Sequence, residues 1–260
     1  DAAASPDCSA RRRFSVPPIS AMTTSCGASP RRRSANRAAV SDSEPLALIA
    51  TILPLSAAPL ATVFVGGGTP TLLRPDLLAR ALCAVRERIP LAPDAEWTVE
   101  ANPETVTPEV AAVLVAAGVN RVSLGAQSFE PALLKALERW HDPASVGRAV
   151  AHLRAAGIGR ISLDLIYGIP GGTLAQWEHD LARALELGPD HLSCYGLTYE
   201  PNTAMAVRLE RGEFAACDED LEARMWEIAA ARLDAAGFEA YELSNWARRV
   251  PGRPGAEECR

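Results

Sequence analysis

Beyond Pro59 the chain alternates repeatedly between short β-branched runs and longer segments whose apolar residues recur every three or four positions. Residues 61–65, 96–101, 121–125, 160–166, 191–197 and 239–243 read as strands. Between them, 75–89 reads as a helix with Leu77, Leu78, Leu82 and Val85 on one face. Thr107-Pro108 supplies an N-cap and a first-turn proline, and Gly118 ends that helix. Further helices are predicted from Pro131 to about Trp140, over 145–156 before Gly157, from the Thr173/Gln176 capping box to Gly188-Pro189, and over 218–236 before Gly237. Such alternation with mostly apolar strands implies a parallel sheet covered by helices. A doubly wound sheet satisfies it as well as a (β/α) barrel does, and periodicity does not separate the two.

The rest of the sequence narrows the class. At 260 residues, 48% of them hydrophobic, the chain can bury one sizeable core or two small ones. A net charge of -6 gives no global pull towards nucleic acid or anionic membrane. The longest apolar stretch, around 45–65, is interrupted by Pro54 and Pro59, so no transmembrane helix is expected. The cysteines at 8, 26, 83, 194, 217 and 259 include no pair with metal-ligand spacing, and no signal-peptide core is present. They read as free thiols in a reducing compartment. Residues 8–40 lack acidic side chains, are rich in Ser, Ala and Arg, and carry two Arg triplets, 11–13 and 31–33. Such a segment does not bury enough surface to order itself. It resembles an organellar transit peptide, with a disordered tail or a translated artefact as the alternative.

The strands end alike. Val65 runs into Gly66-Gly67-Gly68-Thr69, Val99 into Glu100-Ala101-Asn102-Pro103, and Leu124-Gly125 towards Gln127-Ser128. Asp164 lies within the fourth strand, and Thr198 and Glu200 follow the fifth. In a parallel barrel these positions line the C-terminal mouth, where ligands sit. Carboxylates are costly there unless paired or bound, so the set suggests a polar ligand. Three glycines after a strand allow a close backbone approach, but neither a dinucleotide fingerprint nor a P-loop is present.

Read in order, GGGTPTLL (66–73), TVEANPETV (98–106), GVNRVSLGAQSF (118–129), RWH (139–141), ISLDLIYGIPGGT (161–173), DHLSCYGLTYEPNT (190–203) and YELSNWARR (241–249) resemble the oxygen-independent coproporphyrinogen III oxidase-like family of radical S-adenosylmethionine (SAM) proteins. Glu100-Ala101-Asn102-Pro103 and Gln127-Ser128-Phe129 are more similar to its haem-chaperone branch than to the oxidase, which usually carries E-x-D-P-R and Q-D-F there. The resemblance implies a partial, TIM-like (β/α) radical SAM barrel over 59–205. The last barrel elements and the start of a C-terminal domain would follow over 206–260, after an unmatched basic segment, 1–58. It maps SAM contacts to Gly67, Gly68, Thr69, Glu100, Gln127, Arg139, Asp164 and Thr198.

The resemblance also implies a [4Fe–4S] cluster on a C-x-x-x-C-x-x-C loop, haem or porphyrin as a ligand, and a haem-acceptor protein as partner. That cysteine motif does not occur in this sequence. The first, cluster-bearing strand is therefore expected to be missing, and the chain to be non-catalytic as given: a fragment, a mis-spliced gene product or a cluster-free isoform. The functions implied are a haem chaperone, the SAM-dependent porphyrinogen oxidase as alternative, or a non-catalytic remnant. The family default for location is the cytoplasm, with mitochondrion or plastid if the basic segment is a transit peptide.

Overall fold

The computed structural model describes residues 59–249; the basic 1–58 segment with Cys8 and Cys26, and the tail 250–260 with Cys259, lie outside the described residues. The strands are β1 (Leu60–Val65), β2 (Leu91–Ala101), β3 (Arg121–Gln127), β4 (Arg160–Tyr167), β5 (His191–Gly196), β6 (Phe238–Glu242) and β7 (Asn245–Arg248). The helices are α1 (Pro75–Arg88), α2 (Pro108–Ala117), α3 (Pro131–Ala136), α4 (Ala144–Ala156), α5 (Leu174–Glu186), α6 (Ala204–Glu210) and α7 (Glu219–Ala235).

The sheet order is β1-β2-β3-β4-β5-β7-β6, and β1 to β5 pair in parallel. The order never reverses among these five, so there is no switch point, and the architecture is a half-barrel of singly wound β-α units. One face of the sheet is apolar and buried: Trp97 and Val99 on β2, Val122 and Leu124 on β3, Ile161 and Leu163 on β4, Leu192 on β5. Leu82 of α1, Leu114 of α2, Leu153 of α4, Leu181 of α5 and Leu233 of α7 are buried with them in one core. Each fully buried leucine contributes about 1.5–3 kcal/mol.

The opposite face is polar. Glu96, Thr98 and Glu100 on β2 alternate with the buried apolar residues, as do Arg121 and Ser123 on β3, Ser162 and Asp164 on β4, and His191 and Ser193 on β5. Reading the strands as mostly apolar is corrected here: the two-residue period makes only one face so.

The helix boundaries are set by local chemistry. Thr107 Oγ1 accepts the Val110 N–H at 3.2 Å, and Gly118 closes α2 at φ 95°. The Thr173/Gln176 capping box opens α5 with both of its bonds formed.

Two further expectations are corrected, and one helix is added. The helix from Pro131 ends at Ala136 and does not reach Trp140. Glu138 takes a left-handed conformation (φ 55°), while Arg139 N–H bonds Leu134 O at 2.9 Å and Glu138 N–H bonds Lys135 O at 3.1 Å. These two bonds form a helix-terminating Schellman pair without the usual glycine. The C-terminal strand is half of a hairpin: β6 and β7 are antiparallel, and β7 pairs antiparallel with β5. Helix α6, capped by Thr203 Oγ1, was not anticipated.

Candidate functional site

Five chain segments bring polar groups to the C-terminal ends of β1 to β4. After β1, Gly67 and Gly68 take φ values of 90° and 147°, which disfavour a side chain. The turn comes so close to the end of β2 that a Cβ on Gly66 would lie 2.6 Å from the Glu100 carboxyl carbon and push that carboxylate aside. The approach lets Gly67 N–H donate to Glu100 Oε2 at 3.2 Å.

At the end of β3 the pairing with β4 shifts between Gly125 and Gln127, and Gln127 adopts φ 63°. Its side-chain nitrogen occupies the space that a Cβ on Gly125 would take, at 2.8 Å. Left-handed backbone at a residue that is not glycine costs energy, and such residues gather at functional sites. Glu138 is a second case beside the cleft. Its carboxylate pairs at 3.0 Å with Arg208 of α6, which also pairs with Glu213 and stacks over Phe214. The Schellman turn at Glu138 brings Arg139 to the cleft, where it forms no ion pair among the described residues.

On β4, Asp164 is held by Ser123 Oγ at 3.1 and 3.2 Å to its two oxygens. Burial pushes its carboxyl above the ordinary range, while hydrogen bonds from Ser123 and Ser193 favour the charged form. His141 is buried, its Nε2 donating to Ala126 O at 3.0 Å. Burial lowers its basicity, favouring the neutral imidazole, against the bond to Ala126 O and the nearby Glu104 charge.

Gly68, Thr69, Glu100, Gln127, Arg139 and Asp164 line one open cleft of about 620 Å³, together with Asn102, Ser123, Gly125 and His141. Gly67 adjoins it through the bond to Glu100. Thr198 does not line it: this residue is exposed on the segment after β5. A second cavity of about 780 Å³ shares Glu100, Ser123 and Asp164 and runs along the polar face past Arg121 and His191. Ser123 and His141 were not singled out as site residues from the sequence, whereas Asn102 was among the polar strand ends. For Ser123 the usable signal was its place two residues before Gly125, on the same face of β3.

A family profile described as the radical SAM superfamily matches residues 26–184. The chain belongs to the radical SAM superfamily. It is 47% identical over 206 residues to the heme chaperone HemW of Mycobacterium tuberculosis, covering 79% of this chain and 51% of that one. It is 41% identical over 187 residues to the mouse protein named radical S-adenosyl methionine domain-containing protein 1, mitochondrial, covering 72% and 42%. The solved structure of the Escherichia coli coproporphyrinogen III oxidase HemN, described as a radical SAM enzyme, superposes with a TM-score of 0.69 at 26% identity, covering 78% and 46%. This radical SAM chain thus spans about half the length of the curated relatives it matches.

The superfamily implies SAM and a [4Fe–4S] cluster, and the described residues suit the two unequally. The cleft offers a carboxylate, an arginine, glycine N–H groups and further hydrogen-bonding side chains, a set that suits a zwitterionic ligand bearing hydroxyls. For a cluster, no group of three Cys, His, Asp or Glu side chains suited to a metal exists among the described residues. Cys83 lies exposed on α1, Cys194 is buried in β5 and Cys217 stands before α7. Burial pushes the thiols of Cys194 and Cys217 upwards, away from the thiolate form that metal binding needs. No helix among the described residues is long and apolar enough to cross a membrane.

Proposed function

We propose that the cleft binds SAM and that the chain is the SAM-binding part of a haem chaperone, one that passes haem or porphyrin to acceptor proteins. The observation that carries the reading is the meeting of Glu100, Gln127, Arg139 and Asp164 with the Gly66–Thr69 turn in a single cleft. Glu100 is the counter-charge for the methionyl ammonium, and Arg139 with the glycine-turn N–H groups suits the methionyl carboxylate. Gln127 and the Asp164–Ser123 pair suit ribose hydroxyls. Thr198, exposed on the segment that follows β5, is the remaining expected contact. Bound SAM supplies a sulfonium centre with an activated carbon–sulfur bond. The described residues offer no ligand set for a [4Fe–4S] cluster.

The chaperone reading is favoured over the porphyrinogen oxidase by 47% identity to a protein named a heme chaperone, against 26% to the oxidase structure. The Glu100–Pro103 and Gln127–Phe129 motifs support it too. Location follows the same reading: the cytoplasm, with mitochondrion or plastid as the alternative that the Arg-rich 8–40 segment supports. A fluorescent fusion of that segment decides between them.

Calorimetry of the full chain with SAM tests the cleft. Weak binding is expected, reduced about tenfold or more by Glu100→Ala, because a lost charged hydrogen bond costs about 1.5–3 kcal/mol. Tight binding unaffected by Glu100→Ala and by Gly67→Val would place SAM elsewhere. Haem titration followed in the Soret region, beside a coproporphyrinogen turnover assay, separates the two activities.

A further inference from the structure

Gln127 sits in the cleft in a left-handed backbone conformation; Ser128 N–H closes the turn around it by donating to Ala126 O at 2.7 Å, and ties from outside the cleft anchor that turn. The segments before and after this turn are tied to buried side chains. Before it, Ala126 O accepts His141 Nε2 at 3.0 Å. After it, Ser128 Oγ and Phe129 N–H both donate to Asp180, each at 2.6 Å. Asp180 is a carboxylate on α5, on the apolar side of the sheet, and is 1% exposed. Ser128 Oγ in turn accepts Glu130 N–H at 3.0 Å, and the Glu130 carboxylate pairs with His179 of α5 at 2.7 Å.

A carboxylate buried among Trp177, Leu181 and Ala184 is not what helix packing alone selects, since apolar residues fill such positions at least as well. Its two bonds fall on the two residues that follow Gln127 and on no part of the cleft itself. We propose that Asp180 is a positioning residue for the cleft: from behind the sheet it fixes the Ser128–Phe129 peptide and so keeps Gln127 directed at the ligand. This rests on the reading of the cleft as a SAM site.

The test compares the full chain with Asp180→Leu, which removes both acceptors, Asp180→Asn, which keeps the shape and one acceptor, and Ser128→Ala, which removes one tie without touching α5. SAM affinity is measured by calorimetry, and protection of the 127–130 amides by hydrogen exchange. Asp180→Leu is expected to weaken SAM binding about tenfold, because buried donors lose their partner next to the binding residue. Rescue to within about threefold by Asp180→Asn is expected from the acceptor it retains. Amide protection at Phe129 and Glu130 should fall in Asp180→Leu and in Ser128→Ala. If Asp180→Leu does not fold, Ser128→Ala carries the comparison. Unchanged protection of 127–130 in the variants that fold, or SAM affinity equal to wild type despite lost protection, overturns the proposal. A wild-type chain that binds no SAM refutes the reading of the cleft instead, and the exchange data still decide whether Asp180 holds the peptide.

Discussion

The polar face of the sheet holds a charge cluster well below the cleft, and its removal separates stability from binding. Glu96 accepts Arg160 Nη1 at 3.1 Å and Thr98 Oγ1 at 3.2 Å, and stands 3.9 Å from Arg121 Nε. The Arg121 and Glu96 side chains are only 11% and 14% exposed, whereas that of Arg160 is 42% exposed. At 3.9 Å and an effective dielectric of about 20, the Glu96–Arg121 attraction is worth about 4 kcal/mol before desolvation. Glu96→Gln keeps the volume and the bond to Thr98 but leaves Arg121 largely buried, with Thr98 Oγ1 at 3.3 Å as its one hydrogen-bond acceptor among the described residues and the Asp164 charge as its remaining counter-charge. Stranding a buried charge costs about 3–5 kcal/mol. The lower figure, about 3, applies here because Arg160 can turn to water and its own pair is worth less than about 1. In a domain of this size that loss lowers Tm by about 6–12 °C. Thermal melts by circular dichroism measure it, with Glu96→Gln/Arg121→Met as the compensating double variant. SAM affinity should stay at the wild-type value, since Glu96 lies outside the cleft lining. A Tm within about 2 °C of wild type, which is the range of ordinary surface changes, together with no recovery in the double variant, would refute the argument.

Acid sensitivity should trace to His191, which burial depresses to about 3 and which sits between Ser162 Oγ and Tyr241 OH at 2.8 Å each. Its folded value lies below its unfolded one, so the unfolded chain binds the extra proton and stability is lost as pH falls from about 6.5 towards 3. Asp180, raised to about 6 by burial, works the other way between about 3.8 and 6, where the folded chain binds the extra proton. His191→Gln should therefore move the acid-unfolding midpoint to lower pH, as followed by far-ultraviolet dichroism; an unmoved midpoint would acquit this histidine. Leu114→Ala, at a position with no exposed surface, should cost about 2–5 kcal/mol in urea denaturation with m unchanged. Gly66→Ala should displace the Glu100 carboxyl and weaken SAM binding in the direction of Glu100→Ala, and calorimetry of the two variants side by side checks it.

What the sequence by itself determined is local: the β-α alternation, the Thr107 and Thr173 caps, the Gly118 and Gly157 stops, and the polar ends of the first four strands. Each depends on side-chain period or on hydrogen bonds spanning a few residues, and that information lies along the chain. Seven ordered motifs added the family, and with it Arg139, which no periodicity singles out. Only the tertiary structure decided that the strand order never reverses, which makes a half-barrel of what a doubly wound sheet would equally explain. It alone turned the C-terminal strand into an antiparallel hairpin and stopped α3 at Glu138, where no glycine announces an end. The cleft divides in the same way. Its strand-end residues were legible because each follows an apolar run. Ser123 beneath Asp164 and the reach of Asp180 to Ser128 were not. Those contacts join residues about 40 to 50 positions apart. Strand pairing and helix packing set them, and no local pattern encodes either.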